Sequence, residues 1–134
     1  MTPYELSQIH SAAFTMSRPW NAQEFTTLLS NPHTHLFAHP TGFALVQVIA
    51  GEAELLTIAV HPDAQSKGTG HKLMSEWLSK VDATEAFLEV AADNNAARHL
   101  YNSYGFAEVA RRKSYYARKS SNSADAIIMR KAFT

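Results

Sequence analysis

The chain has 134 residues, 46% of them hydrophobic, with 12 Lys and Arg set against 12 Asp and Glu and no Cys. That length suits one domain spanning residues 1–134 with a respectable core, and it leaves no room for a second. Balanced charge gives no overall field to hold nucleic acid or an anionic membrane, and the missing cysteine excludes disulfides, zinc-thiolate sites and the commonest covalent acyl carrier.

The opening Met1-Thr2-Pro3-Tyr4-Glu5 has an acid at its fifth position and no basic segment leading into an apolar run. Secretion is not indicated, no stretch has the length of a membrane span, and the expectation is a cytoplasmic protein without membrane or nucleic-acid partners. Thr2, Pro3 and Glu5 form a capping box, which predicts a helix over about Pro3 to Phe14. Asn21 and Glu24 repeat the signal for a second helix carrying Phe25, Leu28 and Leu29, with Ser17 to Trp20 between the two.

From His35 the pattern turns to strands. Leu36 to Ala38 and Phe43 to Ile49 flank the turn-forming His39-Pro40-Thr41-Gly42, and Leu55 to Val60 follows after Gly51-Glu52, giving three consecutive antiparallel strands. Pro62 stops the third strand, and the chain enters the polar stretch Asp63 to Gly70 before a helix whose stripe is Leu73, Met74, Trp77, Leu78 and Val81. Ala86 to Val90 is a short strand. Asp93 or Asn94 then caps a helix carrying Ala97, Leu100 and Tyr101 that stops before Gly105. Phe106 to Arg112 and Asp125 to Arg130 are the last strands, joined by a basic, serine-rich loop from Lys113 to Ala124.

A strand that runs into a glycine-rich turn opening a helix presents free backbone amides at the positive end of the helix dipole, which suits a phosphate. As a bare pattern, Gln65 to Gly70 is also compatible with a flexible turn. The stretch lacks the Gly-Lys-Ser/Thr ending of a P-loop and the G-x-G-x-x-G of a dinucleotide site. His61, His71 and His99 have no partners at metal-ligand spacing, so no metal is expected. Glu89 stands in an otherwise apolar strand, and Arg111, Arg112, Lys113, Arg118 and Lys119 interleave with Tyr115 and Tyr116 in what reads as a solvated hairpin.

Val60-His61-Pro62-Asp63-Ala64-Gln65-Ser66-Lys67-Gly68-Thr69-Gly70 resembles the acetyl-CoA motif of the GNAT acetyltransferases. Phe87-Leu88-Glu89-Val90, Asn94 and Leu100-Tyr101-Asn102-Ser103-Tyr104-Gly105-Phe106 resemble their second motif, in the same order, and Asp125 to Met129 extends the likeness toward the RimI-like ribosomal-protein alanine N-acetyltransferases.

The resemblance implies an α+β (mixed α/β) GNAT fold: a mostly antiparallel sheet with one splayed parallel strand pair, flanked by about four helices. It implies acetyl-CoA as cosubstrate, with Gln65, Ser66, Lys67, Gly68, Thr69 and Gly70 around the pyrophosphate. Ile58, Ala59 and Val60 would pair with the pantetheine, Asn94 would contact it, and Tyr101 would stand beside the sulfur. Glu89 is then the base, with Glu54 the alternative, and Tyr101 the acid. Trp20, Tyr115 and Tyr116 would meet the acceptor, a primary amine such as a protein N-terminus or a small molecule. A cysteine-free chain favours direct attack, and an acyl-CoA-binding module without catalysis is the alternative class.

Three departures from the pattern stand out. The first strand that relatives carry before the first helix is missing, which leaves an edge for a partner subunit to cover, as in a homodimer. Ala91 stands where peptide-acetylating relatives often have arginine, and the segment after Tyr116 lacks their proline.

Overall fold

The structure is a computed structural model that describes residues 1–14, 18–116 and 123–133. Helix α1 (Pro3–Ala13) starts where the capping box places it: the Glu5 amide donates to Thr2 Oγ1 at 3.1 Å and the Thr2 amide to Glu5 Oε1 at 2.8 Å. Helix α2 (Ala22–Leu29) is capped the same way by Asn21 and Glu24. Arg18 grips both oxygens of Glu24, at 2.7 and 2.9 Å.

Strands β1 (Thr34–His39), β2 (Gly42–Ile49) and β3 (Glu52–Val60) form the antiparallel meander expected from the turn residues. Helix α3 (Thr69–Lys80), strand β4 (Glu85–Ala91), helix α4 (Asn95–Ser103) and strands β5 (Ala107–Tyr116) and β6 (Ala124–Ala132) complete the chain. The six strands lie in the order β1-β2-β3-β4-β6-β5, and only β3 and β4 are parallel. No strand precedes α1 in this sheet, so the outer side of β1 is an edge among the described residues. No helix of the described residues is long and apolar enough to cross a membrane.

Two clusters cover opposite faces. Leu73, Met74 and Trp77 of α3 pack with Ala44, Val46 and Leu88, while Leu6 and Phe25 of α1 and α2 pack with Phe43 and Leu45. A bulge in β3 links the faces. Leu45 pairs with Thr57 but Val46 pairs with Leu55, so Leu56 is an extra residue, and beyond it the alternation reverses. Ala53 and Leu55 face α3, and past the bulge it is Ile58 and Val60 that do so, while Ala59 turns to the α1 side.

One expectation needs correction. The segment from Lys113 is not yet loop: β5 continues to Tyr116, which pairs with Ala124. The extension carries no apolar stripe because it is exposed on both faces. It is held by the ladder to β6 and by the Ser114 amide donating to Asp125 Oδ1 at 2.8 Å, with Ser114 at φ +53 inside a register shift. Arg118 and Lys119 lie outside the described residues.

Candidate active site

The parallel pair is short. Glu52 to Leu55 match Glu85 to Leu88, and beyond these the strands part. Thr57 to Val60 stay with β2 on one side, and Glu89 to Ala91 stay with β6 on the other. Their facing edges bound a cleft of about 990 Å³.

On the α3 side, the cleft is walled by Gln65, Ser66, Gly68 and Gly70 and by Asn94, Ala97 and Tyr101 of the α4 region. Lys67 and Thr69 are not on its wall. The loop is built for backbone exposure. Ser66 and Gly68 take positive φ (66° and 85°), and the first amides of α3 have no acceptor within their own helix. A Cβ on Gly68 would meet no protein atom within 4 Å, so the space beside it is open. Gly42 is bare for another reason: a Cβ there would lie 2.9 Å from the Ala59 carbonyl oxygen, and the close approach sets the β1–β2 turn against the start of α3. The Gln65 amide nitrogen of the side chain donates to the Val60 carbonyl at 3.0 Å, tying the loop to the end of β3.

Asn94, not Asp93, caps α4, its Oδ1 accepting from the Ala97 amide at 3.2 Å. Tyr104 pins α4 to α3 by donating to the His71 carbonyl at 2.9 Å. Tyr101 is 6% exposed, and burial pushes its hydroxyl pKa above the ordinary tyrosine value, so the group stays protonated at neutral pH.

On the α1 side, the cleft meets Phe14, Trp20, Tyr115 and Tyr116. Glu89 is exposed and lines it, and its Oε2 accepts a hydrogen bond from the Tyr116 hydroxyl at 3.0 Å, a pairing that separation by 27 residues hid in the sequence. Tyr115 packs edge-on against Tyr116. Glu54 lies in the paired part of the β3–β4 ladder, opposite Phe87, and off the cleft wall. Burial, with the Glu89 charge adding to it, raises its pKa.

Sequence reasoning missed His10. It lines the cleft, is 3% exposed, and falls four residues after Leu6 on the buried stripe of α1, which was the available signal. His61 and His71 make local contacts, to the Asp63 amide and the Tyr104 hydroxyl. Among the described residues no three His, Cys, Asp or Glu gather as a metal site.

A sheet with one splayed parallel pair above a glycine-rich helix start is matched at the sequence level as well: residues 31–108 fit the family model described as an acetyltransferase (GNAT) domain. The chain belongs to the GNAT acetyltransferases. The chain is 34% identical to the N-alpha-acetyltransferase RimI of Mycobacterium tuberculosis over 93% of its own length and 83% of that protein. It is 35% identical to the [ribosomal protein bS18]-alanine N-acetyltransferase of Escherichia coli, covering 83% and 79%. The crystal structure of the ribosomal-protein-S18-alanine N-acetyltransferase from Escherichia coli superposes with a TM-score of 0.85 at 32% identity, covering 96% of this chain and 85% of that one. This GNAT acetyltransferase therefore uses acetyl-CoA as cosubstrate.

The loop gives a direct test of where that cosubstrate sits. Gly68→Val forces a β-branched residue into a left-handed conformation, costing about 1–2 kcal/mol of folding stability with no clash. Its expected effect on acetyl-CoA is larger, about 10²-fold or more in affinity, because the new side chain fills the space beside the free amides. Calorimetry giving wild-type affinity would remove the loop from the binding site.

Proposed function

We propose that residues 1–134 act as one domain that acetylates a protein N-terminal α-amine by direct attack on acetyl-CoA. The observation that carries this reading is the parting of β3 from β4, because it lets Glu89 and Tyr101 line one cleft reached from the α3 loop on one side and from Phe14, Trp20, Tyr115 and Tyr116 on the other.

In this reading the amides of Gln65, Ser66, Gly68 and Gly70 hold the pyrophosphate, the edge of Ile58, Ala59 and Val60 turned away from β2 holds the pantetheine, and Asn94 contacts it beside its capping role. The neutral amine attacks the thioester carbonyl carbon. The C–N bond forms, the C–S bond breaks, and the proton lost from nitrogen passes to the Glu89 carboxylate. The departing thiolate accepts a hydrogen bond from the Tyr101 hydroxyl and takes its proton, which the protonated Glu89 carboxyl returns to Tyr101 through solvent, so that the enzyme ends as it began. Glu89 is favoured over Glu54 because only Glu89 reaches the cleft, and Tyr116 holds its carboxylate in place. The names of the relatives that act on protein N-termini support the acceptor.

The experiment is an assay of thiol release from acetyl-CoA with a peptide bearing a free N-terminus, the same peptide N-formylated but retaining a lysine, and a small diamine. Release is expected with the free N-terminus, the acetyl group found on its α-amine, and no acetylated enzyme formed with acetyl-CoA alone. Faster acetylation of the diamine would move the enzyme to small amines. Binding of acetyl-CoA without release to any amine would make the protein a non-catalytic module.

A further inference from the structure

His10 makes more connections at the cleft than any role so far assigned requires. Its ring is sandwiched between Phe14 (centroids 4.2 Å apart, planes 14° apart) and Trp20 (5.0 Å, 18°), with the edge of Phe25 against it. The Trp20 backbone amide donates to Nδ1 at 3.0 Å. A nitrogen that accepts a hydrogen bond carries no proton, so in the neutral ring the proton is on Nε2, and Nε2–H points at Thr57 Oγ1, 3.3 Å away on β3. Thr57 is the residue just past the β3 bulge, on the stretch of strand that borders the cleft.

We propose that His10 is a positioning residue for the acceptor: as the Nε2–H tautomer it ties Trp20, in the connection between α1 and α2, to Thr57 of β3, and so fixes the aromatic wall of the cleft. This rests on the acceptor reading above. The arrangement needs the ring neutral, since a proton on Nδ1 would break the bond to Trp20. Burial provides that, lowering the His10 pKa to about 4. The charged groups facing the ring are Glu24, which favours protonation, and Arg18, which opposes it, and these two are bound to each other. The β3 side presents the neutral Thr57.

Two measurements decide the matter. Nitrogen-15 spectra of the wild-type ring between pH 5 and 8 should show Nδ1 unprotonated and Nε2 protonated throughout, with no titration near the ordinary histidine value. A proton on Nδ1, or a titration midpoint near 6.5, would overturn the proposal, and this arm needs no acceptor. In the second arm, His10→Phe keeps the ring stack but loses both hydrogen bonds. The acceptor KM should rise by about tenfold while acetyl-CoA affinity by calorimetry stays within about twofold of wild type. His10→Asn, whose Oδ1 can accept from the Trp20 amide but which reaches no Thr57 and has no ring to stack, should recover only part of the loss. An unchanged acceptor KM in His10→Phe, or equal losses for both substrates together with a lower melting temperature, would overturn it. If wild type releases thiol with no N-terminal peptide, the acceptor reading fails on the wild type alone. The KM comparison is then made with whichever amine does release thiol, and the ring spectra decide the tautomer in any case.

Discussion

Glu89→Gln should lower turnover at saturating acetyl-CoA and acceptor by about 10²-fold to 10⁴-fold, the usual contribution of a positioned base. Its melting temperature should stay near wild type, because residue 89 is exposed and the Gln carbonyl oxygen still accepts from the Tyr116 hydroxyl. The comparison that gives this result meaning is Glu54→Gln. Glu54 is half-buried on the same strand pair and already inclined toward its protonated form by burial and by Glu89, but it does not reach the cleft. Its replacement should cost less than about tenfold in turnover. The reverse order of effects would make Glu54 the base and Glu89 its neighbour.

Tyr101→Phe should also act on turnover, by a different route. If the hydroxyl serves the departing sulfur, its help exists chiefly in the transition state, so acetyl-CoA affinity should be nearly intact while turnover falls. A thiolate leaves readily, so the effect belongs at the low end of the general-acid range, about 10²-fold or less. The ring keeps its edge-on contact with Phe106, and the core should not notice the change. Wild-type turnover in the Phe variant would end the acid role. A fall in turnover matched by a fall in melting temperature would instead mark Tyr101 as a packing residue.

The local signals in the sequence carried the scaffold because each rests on short-range chemistry. Thr2 with Glu5 and Asn21 with Glu24 form capping boxes in the structure, Gly105 takes φ +92 after α4, and Pro62 ends β3. The glycine stretch from Gln65 was legible as a loop from composition, but its likeness to an acetyl-CoA motif came from the family and not from spacing. What the sequence did not show depends on contacts between distant residues. The Leu56 bulge appears only when β3 is laid against β2, since the adjacent apolar pair Leu55-Leu56 does not say which of the two is the extra residue. The bond from Tyr116 to Glu89 needed β5 to run past Arg112, and a strand exposed on both faces has no alternation to betray it. His10 was hidden by the bland appearance of a single histidine on an apolar helix stripe, and its significance comes from partners 10 and 47 residues away.

A conjugate of CoA joined through its sulfur to the N-terminus of a peptide tests the central claim, that both substrates meet in one cleft between β3 and β4. Calorimetry should show the conjugate binding at least about 10²-fold more tightly than CoA alone, because joining two ligands that occupy adjoining sites makes the second binding event intramolecular. The same conjugate should displace both acetyl-CoA and free peptide. A conjugate that binds no better than CoA, or that leaves peptide binding untouched, would contradict the account.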